Sequence, residues 1–210
     1  MVSILMAVFN GSEFFSESFK SVLNQTYVNW ELIIGINGHH RKSDTETQIK
    51  HEINKYPNCK NKVKLLWCPF RNKSKTLNVM VRYASFSKVA ILDVDDIWFD
   101  NKLKLQMKLV EQFDVVGTSC YYMYGDVKSS FQPKIPVGLI KDFSVNPIIN
   151  SSVIFNKELA MWDENSVIED YHLWIKLKNQ GNTFYNLIEP LIYHRIHDKS
   201  FFNNGLNTKQ

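Results

Sequence analysis

Hydrophobic positions along this chain alternate between two periods, and the alternation predicts most of its elements. Residues 2–9, Val-Ser-Ile-Leu-Met-Ala-Val-Phe, form a short apolar run ended by Asn10-Gly11, as expected of a buried strand leaving a sheet at a turn. Ser12 is placed to cap a helix reaching about Tyr27, and Phe15, Phe19, Val22 and Leu23 share one of its faces. Residues 30–36 form a second apolar run, ended by Asn37-Gly38. Ser43 and Glu46 make a capping box, with Ile49, Ile53 and Tyr56 as the inner stripe of a helix closed by Pro57. A third strand is expected over 63–68 and a helix over 74–86, carrying Leu77, Met80, Val81 and Ala84 inward. A fourth strand follows over 89–94, and Asp100 caps a helix over 101–112.

The second half is less regular. A strand is expected over 115–124, a loop-rich stretch with Pro133, Pro136 and Pro147 over 127–147, and a strand over 148–155. A helix over 167–179 carries Leu173, Trp174 and Leu177 inward and is stopped by Gly181. Two short strands, 184–188 and 191–196, flank Glu189-Pro190, and the tail 198–210 is expected to be mobile.

Strands alternating with helices of this length imply βαβ units, a mostly parallel sheet and an α/β fold. Right-handed crossovers place the strand ends at Phe9-Asn10, Asn37, Pro69 and Asp93 along one rim. Residues 89–100 then stand out, because Asp93, Asp95 and Asp96 fall within four positions where the fourth strand leaves the sheet. Ligands of open α/β sheets bind outside the carboxyl ends of strands. Carboxylates packed this closely repel unless a cation or proton neutralises them, and hard oxygen donors suit Mg²⁺ or Mn²⁺ bridging to phosphate. The competing reading is a helix-capping loop with its carboxylates in solvent.

The 210 residues, 44% hydrophobic and 22% charged, suit one folded domain, and no internal repeat or linker divides it. A net charge of +4 suits an anionic substrate such as a nucleotide, but it is too weak and scattered for nucleic acid. Cys59, Cys68 and Cys120 match neither a metal-ligand spacing nor a disulfide framework, which points to a reducing compartment. With no 18-residue apolar run and no basic segment before Val2, neither a membrane span nor a signal peptide is expected. The expected location is cytoplasmic, with the chain whole or as one domain of a longer protein.

Several blocks are similar to those of the family 2 glycosyltransferases. The opening Val-Ser-Ile-Leu-Met-Ala-Val-Phe-Asn-Gly is followed by Ser21-Val22-Leu23-Asn24-Gln25-Thr26-Tyr27 and Trp30-Glu31-Leu32-Ile33-Ile34. Asn78 lies fifteen residues before the acidic loop, and Leu92-Asp93-Val94-Asp95-Asp96-Ile97-Trp98 resembles the family's Asp-x-Asp region. Glu169-Asp170-Tyr171-His172-Leu173-Trp174 resembles its Glu-Asp motif, and Tyr193-His194-Arg195-Ile196-His197 the segment that closes its catalytic domain. The blocks occur in family order and cover most of the chain, except a weakly matched stretch over 127–147.

The resemblance implies a GT-A fold, a single-domain α/β/α sandwich around a mostly parallel mixed sheet. It implies a catalytic domain over 1–197, with a nucleotide-binding half at 1–112 and an acceptor half at 113–197. The implied activity is inverting transfer from a nucleotide-diphosphate-sugar, with a UDP-sugar the first candidate, to the hydroxyl of a growing glycan, with Mn²⁺ or Mg²⁺. Asp95 is the implied metal ligand, and Asp93 reaches either the ribose or the metal's waters. Asp96 sits beside the sugar and takes either role, with Trp98, Glu169 and Tyr171 near the sugar or acceptor. Asp170 is the implied catalytic base, taking the acceptor's proton. Strand alternation puts Arg195 and His197 on one side, where either the guanidinium pairs with phosphate or the imidazole serves as ligand or phosphate donor. Arg71, Lys73 and Lys75 form a basic run at a helix start, read first as solvated and second as a phosphate or base contact, with Asn78 the family-matched member of the block.

One departure concerns the nucleobase. Where the family shows Val-Asp-Asp-Gly-Ser, this chain has Gly35-Ile36-Asn37-Gly38-His39, so base contacts are left to Asn37 and to backbone at Ala7 and Phe9. Two rival readings follow. A metal-dependent nucleotidyltransferase needs a Gly-rich phosphate loop that residues 7–11 do not form. A non-catalytic binder of nucleotide or glycan fits the altered Ile36-Asn37 but leaves Asp93, Asp95 and Asp170 unexplained.

Overall fold

The computed structural model describes residues 1–197, so the tail expected to be mobile lies outside the described residues. The chain runs β1 (Val2–Val8), α1 (Phe15–Leu23), β2 (Trp30–Asn37), α2 (Asp44–Asn54), β3 (Val63–Cys68), α3 (Lys73–Tyr83) and β4 (Lys88–Ile91). It continues with β5 (Ile97–Trp98), α4 (Lys102–Gln106), β6 (Val115–Tyr124), β7 (Val127–Lys128), β8 (Gly138–Leu139), β9 (Ile154–Asn156), α5 (Glu169–Asn179) and β10 (Phe184–Ile196).

One sheet has the order β3-β2-β1-β4-β9-β6-β10-β5, with β7 beside β6 and β8 beside β10. β3, β2, β1 and β4 are parallel, β9 runs antiparallel between β4 and β6, and β10 is parallel to β6. The carboxyl ends of β1 to β4, β6 and β10 therefore meet one rim. Both faces are covered. Ile4, Met6 and Val8 of β1 pack with Phe15 and Phe19 of α1 and Ile49 of α2, whereas Leu5 packs with Leu77 and Met80 of α3 and Trp174 of α5. A strand buried on both faces has no polar side, which is why residues 2–9 read as an unbroken apolar run.

Local differences from the expected elements have local causes. Gly11 takes φ +83° and its carbonyl accepts from Phe14 N, so α1 starts at Phe15 and Ser12 caps nothing. Ser43 does cap α2 by accepting from Glu46 N, but the Glu46 carboxylate turns to Lys42 N. The helix expected over 101–112 is five residues long, because from Lys108 its bonds tighten to i→i−3 turns. The strand expected over 148–155 shrinks to β9, since Asn150, Ser151 and Ser152 form a short 3₁₀ turn with Ser152 Oγ donating to Ile149 O. The two final strands merge into β10, whose register shifts on either side of Pro190, a residue that brings no N–H to a ladder.

All three cysteines are buried and, among the described residues, unpaired. No described helix is long and apolar enough to cross a membrane.

Gly35 of β2 lets α3 lie directly on the sheet: a Cβ there would fall 2.7 Å from Thr76 Cγ2 and 2.6 Å from Met80 Sδ. The Thr76 side chain is β-branched and cannot swing away. Gly35→Ala is expected to destabilise the fold by about 1–3 kcal/mol, the usual cost of overpacking, read from the urea midpoint.

Candidate functional site

The acidic loop hangs from the end of β4. Leu92 N still donates to Leu5 O, after which Asp93 N donates to Ser151 Oγ (3.0 Å) and Asp96 N closes a turn on Asp93 O (3.2 Å). That turn sends the three carboxylates to three environments. Asp93 Oδ1 lies 2.8 Å from Lys73 Nζ, and its Oδ2 accepts from Asn150 Nδ2 at 2.9 Å. Asp95 stays at the rim with Oδ2 3.0 Å from His197 Nε2. Asp96, only 1% exposed, accepts from Arg195 N (2.8 Å) and His194 Nδ1 (3.1 Å).

The electrostatics follow this split. Burial would raise Asp93, but the Lys73 ammonium and Asn150 hold its carboxyl below the ordinary range. Burial, followed by the charges of Asp96 and Asp93, pushes Asp95 up against the opposing bond from His197. Lys73 is partly desolvated, yet Asp93 and Glu169 raise it well above its usual value. Across the rim Asp170, second residue of α5, has Oδ1 bonded by Tyr171 N (2.7 Å) and Oδ2 by Asn146 Nδ2 (2.9 Å). Burial and the neighbouring Glu169 raise Asp170, with Lys73 acting in opposition.

A carboxylate raised by burial and by two neighbouring carboxylates gains from a cation, so Asp95 suits a divalent ion. Among the described residues no group of three or more His, Cys, Asp or Glu side chains converges on a metal position. Asp95 and His197 together offer an oxygen and an imidazole nitrogen. That pair fits an ion completed by phosphate oxygens and waters, not an all-protein cage.

At the end of β2, Ile36 is buried in the core and Asn37 is 4% exposed, its Oδ1 without a partner among the described residues. Ala7 and Phe9 are half-buried, and the Phe9 carbonyl accepts from His39 Nε2 at 2.5 Å. Arg71 lies 5.2 Å from the Phe9 ring. Gly38, at φ +74°, admits this packing, since a Cβ would meet Arg71 Cγ at 2.5 Å and the Phe9 ring at 2.9 Å.

Four residues expected to contact ligand are committed elsewhere. The Asn78 amide is spent on the segment before α5: it donates to the Trp162 carbonyl and accepts from the Trp162 N–H, both at 2.9 Å, and donates to Glu164 Oε1 at 3.2 Å. Trp98 is buried, donates to Ser151 O and lies under Lys102 at 4.0 Å. Asp96 faces inward, away from any sugar. Arg195 and His197 do share one side, as alternation requires, but α1 and the residue before it fill that side. The Arg195 guanidinium is fully enclosed over the Phe14 ring and donates to Glu17, Asp126 and the carbonyls of Asp95 and Gly125, so it faces no phosphate. Of the remaining expected residues, Glu169 pairs with Lys73 (3.0 Å) and the Tyr171 hydroxyl donates to Phe143 O (2.5 Å).

Asn146, Asn150 and His194 were not expected at the site. The two asparagines lie in or beside the stretch without hydrophobic period, and alternation turned His194 away from the crevice. Only the loop's fold over the strand end brings Asp96 to it.

Burial would lower the His194 imidazole, but Asp96, aided by Asp95 and Asp93, raises it from 6.5 to about 9. The folded value exceeds the unfolded one, so the stabilisation is complete below about pH 6.5 and is lost as pH rises through about 9. In metal-stripped protein the Tm difference between wild type and His194→Gln should be largest in acid and vanish in alkali. A difference independent of pH would contradict this.

Residues 3–175 match the family model described as Glycosyl transferase family 2. The chain is 30% identical over 214 residues to the O-antigen biosynthesis glycosyltransferase WbnJ of Escherichia coli, covering 95% of this chain and 81% of that protein. It is 25% identical to the E. coli UDP-Glc:alpha-D-GlcNAc-diphosphoundecaprenol beta-1,3-glucosyltransferase WfgD, with 87% and 71% covered. In fold it superposes on the mannosyltransferase PcManGT from Pyrobaculum calidifontis, solved with GDP-Man and Mn²⁺, at a TM-score of 0.75 and 14% identity, covering 99% of this chain. It also superposes on S. aureus TarS 1–349 with UDP-GlcNAc at 0.71 and 17%, covering 96% of this chain. The chain spans 60% of the length of each of these two solved chains. Sequence and fold thus agree: the chain belongs to glycosyl transferase family 2 and is a glycosyltransferase of GT-A fold.

Proposed function

We propose that this chain moves a sugar, with inversion, from a nucleotide-diphosphate-sugar to a hydroxyl of a growing glycan, using Mn²⁺ or Mg²⁺. The observation that carries the reading is that Lys73, 2.8 Å from Asp93 and 3.0 Å from Glu169, brings the acidic loop and the first turn of α5 to one place on the rim. Asp95 faces His197 on the donor side, while Asp170 is held by Asn146 and its own helix start on the acceptor side. Relatives support the substrate class: WbnJ is named for O-antigen biosynthesis, and WfgD is named for transfer from UDP-Glc to a diphosphoundecaprenol-linked sugar. A UDP-sugar is the first donor to test. PcManGT was solved with GDP-Man, so the base is assigned through Asn37, whose Oδ1 awaits a donor.

Asp95 and His197 would hold the divalent ion, which offsets charge on the departing diphosphate. The chain's own residues do the rest. Asp170 accepts the acceptor hydroxyl's proton as that oxygen bonds to the anomeric carbon, on the face opposite the breaking bond to phosphate. Its raised affinity for protons makes it a better base provided it is ionised when the acceptor arrives. Asp96 and Arg195 hold the loop instead of touching substrate. The donor half at 1–112 and the acceptor half at 113–197 remain the proposed division of labour, and the cytoplasm the proposed location.

Asp170→Asn should lower transfer by about 10²–10⁴-fold while keeping the donor's thermal shift. Normal turnover by that variant would overturn the assignment. Asp95→Asn should lose the Mn²⁺-dependent part of the donor's shift, measured by melting with and without the ion.

A further inference from the structure

Lys73 opens α3, and its ammonium bridges two carboxylates that come from opposite halves of the chain. It lies 2.8 Å from Asp93 Oδ1, at the end of β4, and 3.0 Å from Glu169 Oε1, the first residue of α5. Asp170 is the next residue. A lysine at a nucleotide rim is ordinarily a candidate phosphate ligand, but here two negative charges within 3.0 Å already match its single positive one.

The backbone under Lys73 is held without those ion pairs. Asn72 caps α3 by accepting from Lys75 N at 2.7 Å and donates to Glu164 O at 2.8 Å. Asn78, one turn on, clamps the backbone of Trp162. Helix α3 is thus fastened to the segment leading into α5 by these asparagines and by the packing of Leu77 and Met80 in one cluster with Ala160 and Trp162, and the ammonium is left to act on the carboxylates. Without it, Asp93 and Glu169 would lose a shared counter-charge beside Asp95 and Asp170, and the first turn of α5 would be pushed outward.

We propose that Lys73 is a positioning residue for transfer, whose ammonium sets the separation between the donor-side loop and the first turn of α5 and thereby places Asp170 against the acceptor. The proposal rests on the reading of Asp170 as the base. Its effect should fall on kcat, because a small misplacement of a reacting group can cost about 10²-fold.

The test compares Lys73→Met, Lys73→Arg, Glu169→Gln and the Lys73→Met/Glu169→Gln pair, using a nucleotide-sugar that the wild type turns over with Mn²⁺. Urea unfolding of the same four proteins is measured without donor or metal. Lys73→Met should lower kcat about 10–100-fold with donor KM changed less than about threefold, and Lys73→Arg should recover most of the loss. Glu169→Gln should act in the same way, and the double variant should be no slower than Lys73→Met, with non-zero coupling in the unfolding cycle. A raised donor KM at unchanged kcat would make Lys73 a phosphate ligand and overturn the proposal, as would additive losses or zero coupling. If Lys73→Met fails to fold, Glu169→Gln decides: lost kcat at constant KM supports the proposal, and unchanged kcat overturns it. Should the wild type turn over no nucleotide-sugar, the functional reading falls, whereas the unfolding cycle still tests the bridge.

Discussion

Three carboxylates within four residues crowd one strand end, and the rim of this protein is built around giving each a separate partner. Asp93 is answered by Lys73 from α3, Asp95 by His197 beyond β10, and Asp96 by His194 and the Arg195 N–H within β10. One partner comes from α3 and the others from the end of β10, on two sides of the loop. The loop is therefore stable only when both halves of the sheet are assembled around it, which couples folding to the formation of the site.

Arg195 is the deepest part of this arrangement. Enclosing a guanidinium is costly unless its donors are matched, and its partners are carboxylates on α1 and after β6 plus two carbonyls. Glu17 and Asp126 are themselves solvent-accessible, so only the cation side of these pairs is fully desolvated. The gain is a fixed Asp95 carbonyl, and with it a fixed direction for the Asp95 carboxylate. The buried charge here serves geometry.

The rim beside β2 shows the opposite strategy. Ile36 fills the core, and the polar side chain there is Asn37, whose buried Oδ1 is left open. Around it lie the Phe9 ring, the His39 imidazole and the Arg71 guanidinium, brought together by a glycine at positive φ. That end of the rim offers one open acceptor and flat or delocalised surfaces.

The strands and helices of the first half were legible because hydrophobic period is a local property, written in neighbouring residues. The same holds for the acidic loop, whose crowding is visible in four letters. Asn78, Trp98 and Arg195 carried the right chemistry for a ligand but were claimed by Trp162, Ser151, Glu17 and Asp126, partners 53 to 178 residues away. Residues 127–147 gave no period, because there polar side chains do the organising, and that hid Asn146, whereas Asn150 was hidden within an expected strand that folds as a 3₁₀ turn. The sequence by itself determined the layered fold, the rim and the acidic charge placed on it. Only the tertiary structure decided which carboxylate stays at the rim and which is held inside, because that depends on which distant partners the topology delivers to each oxygen.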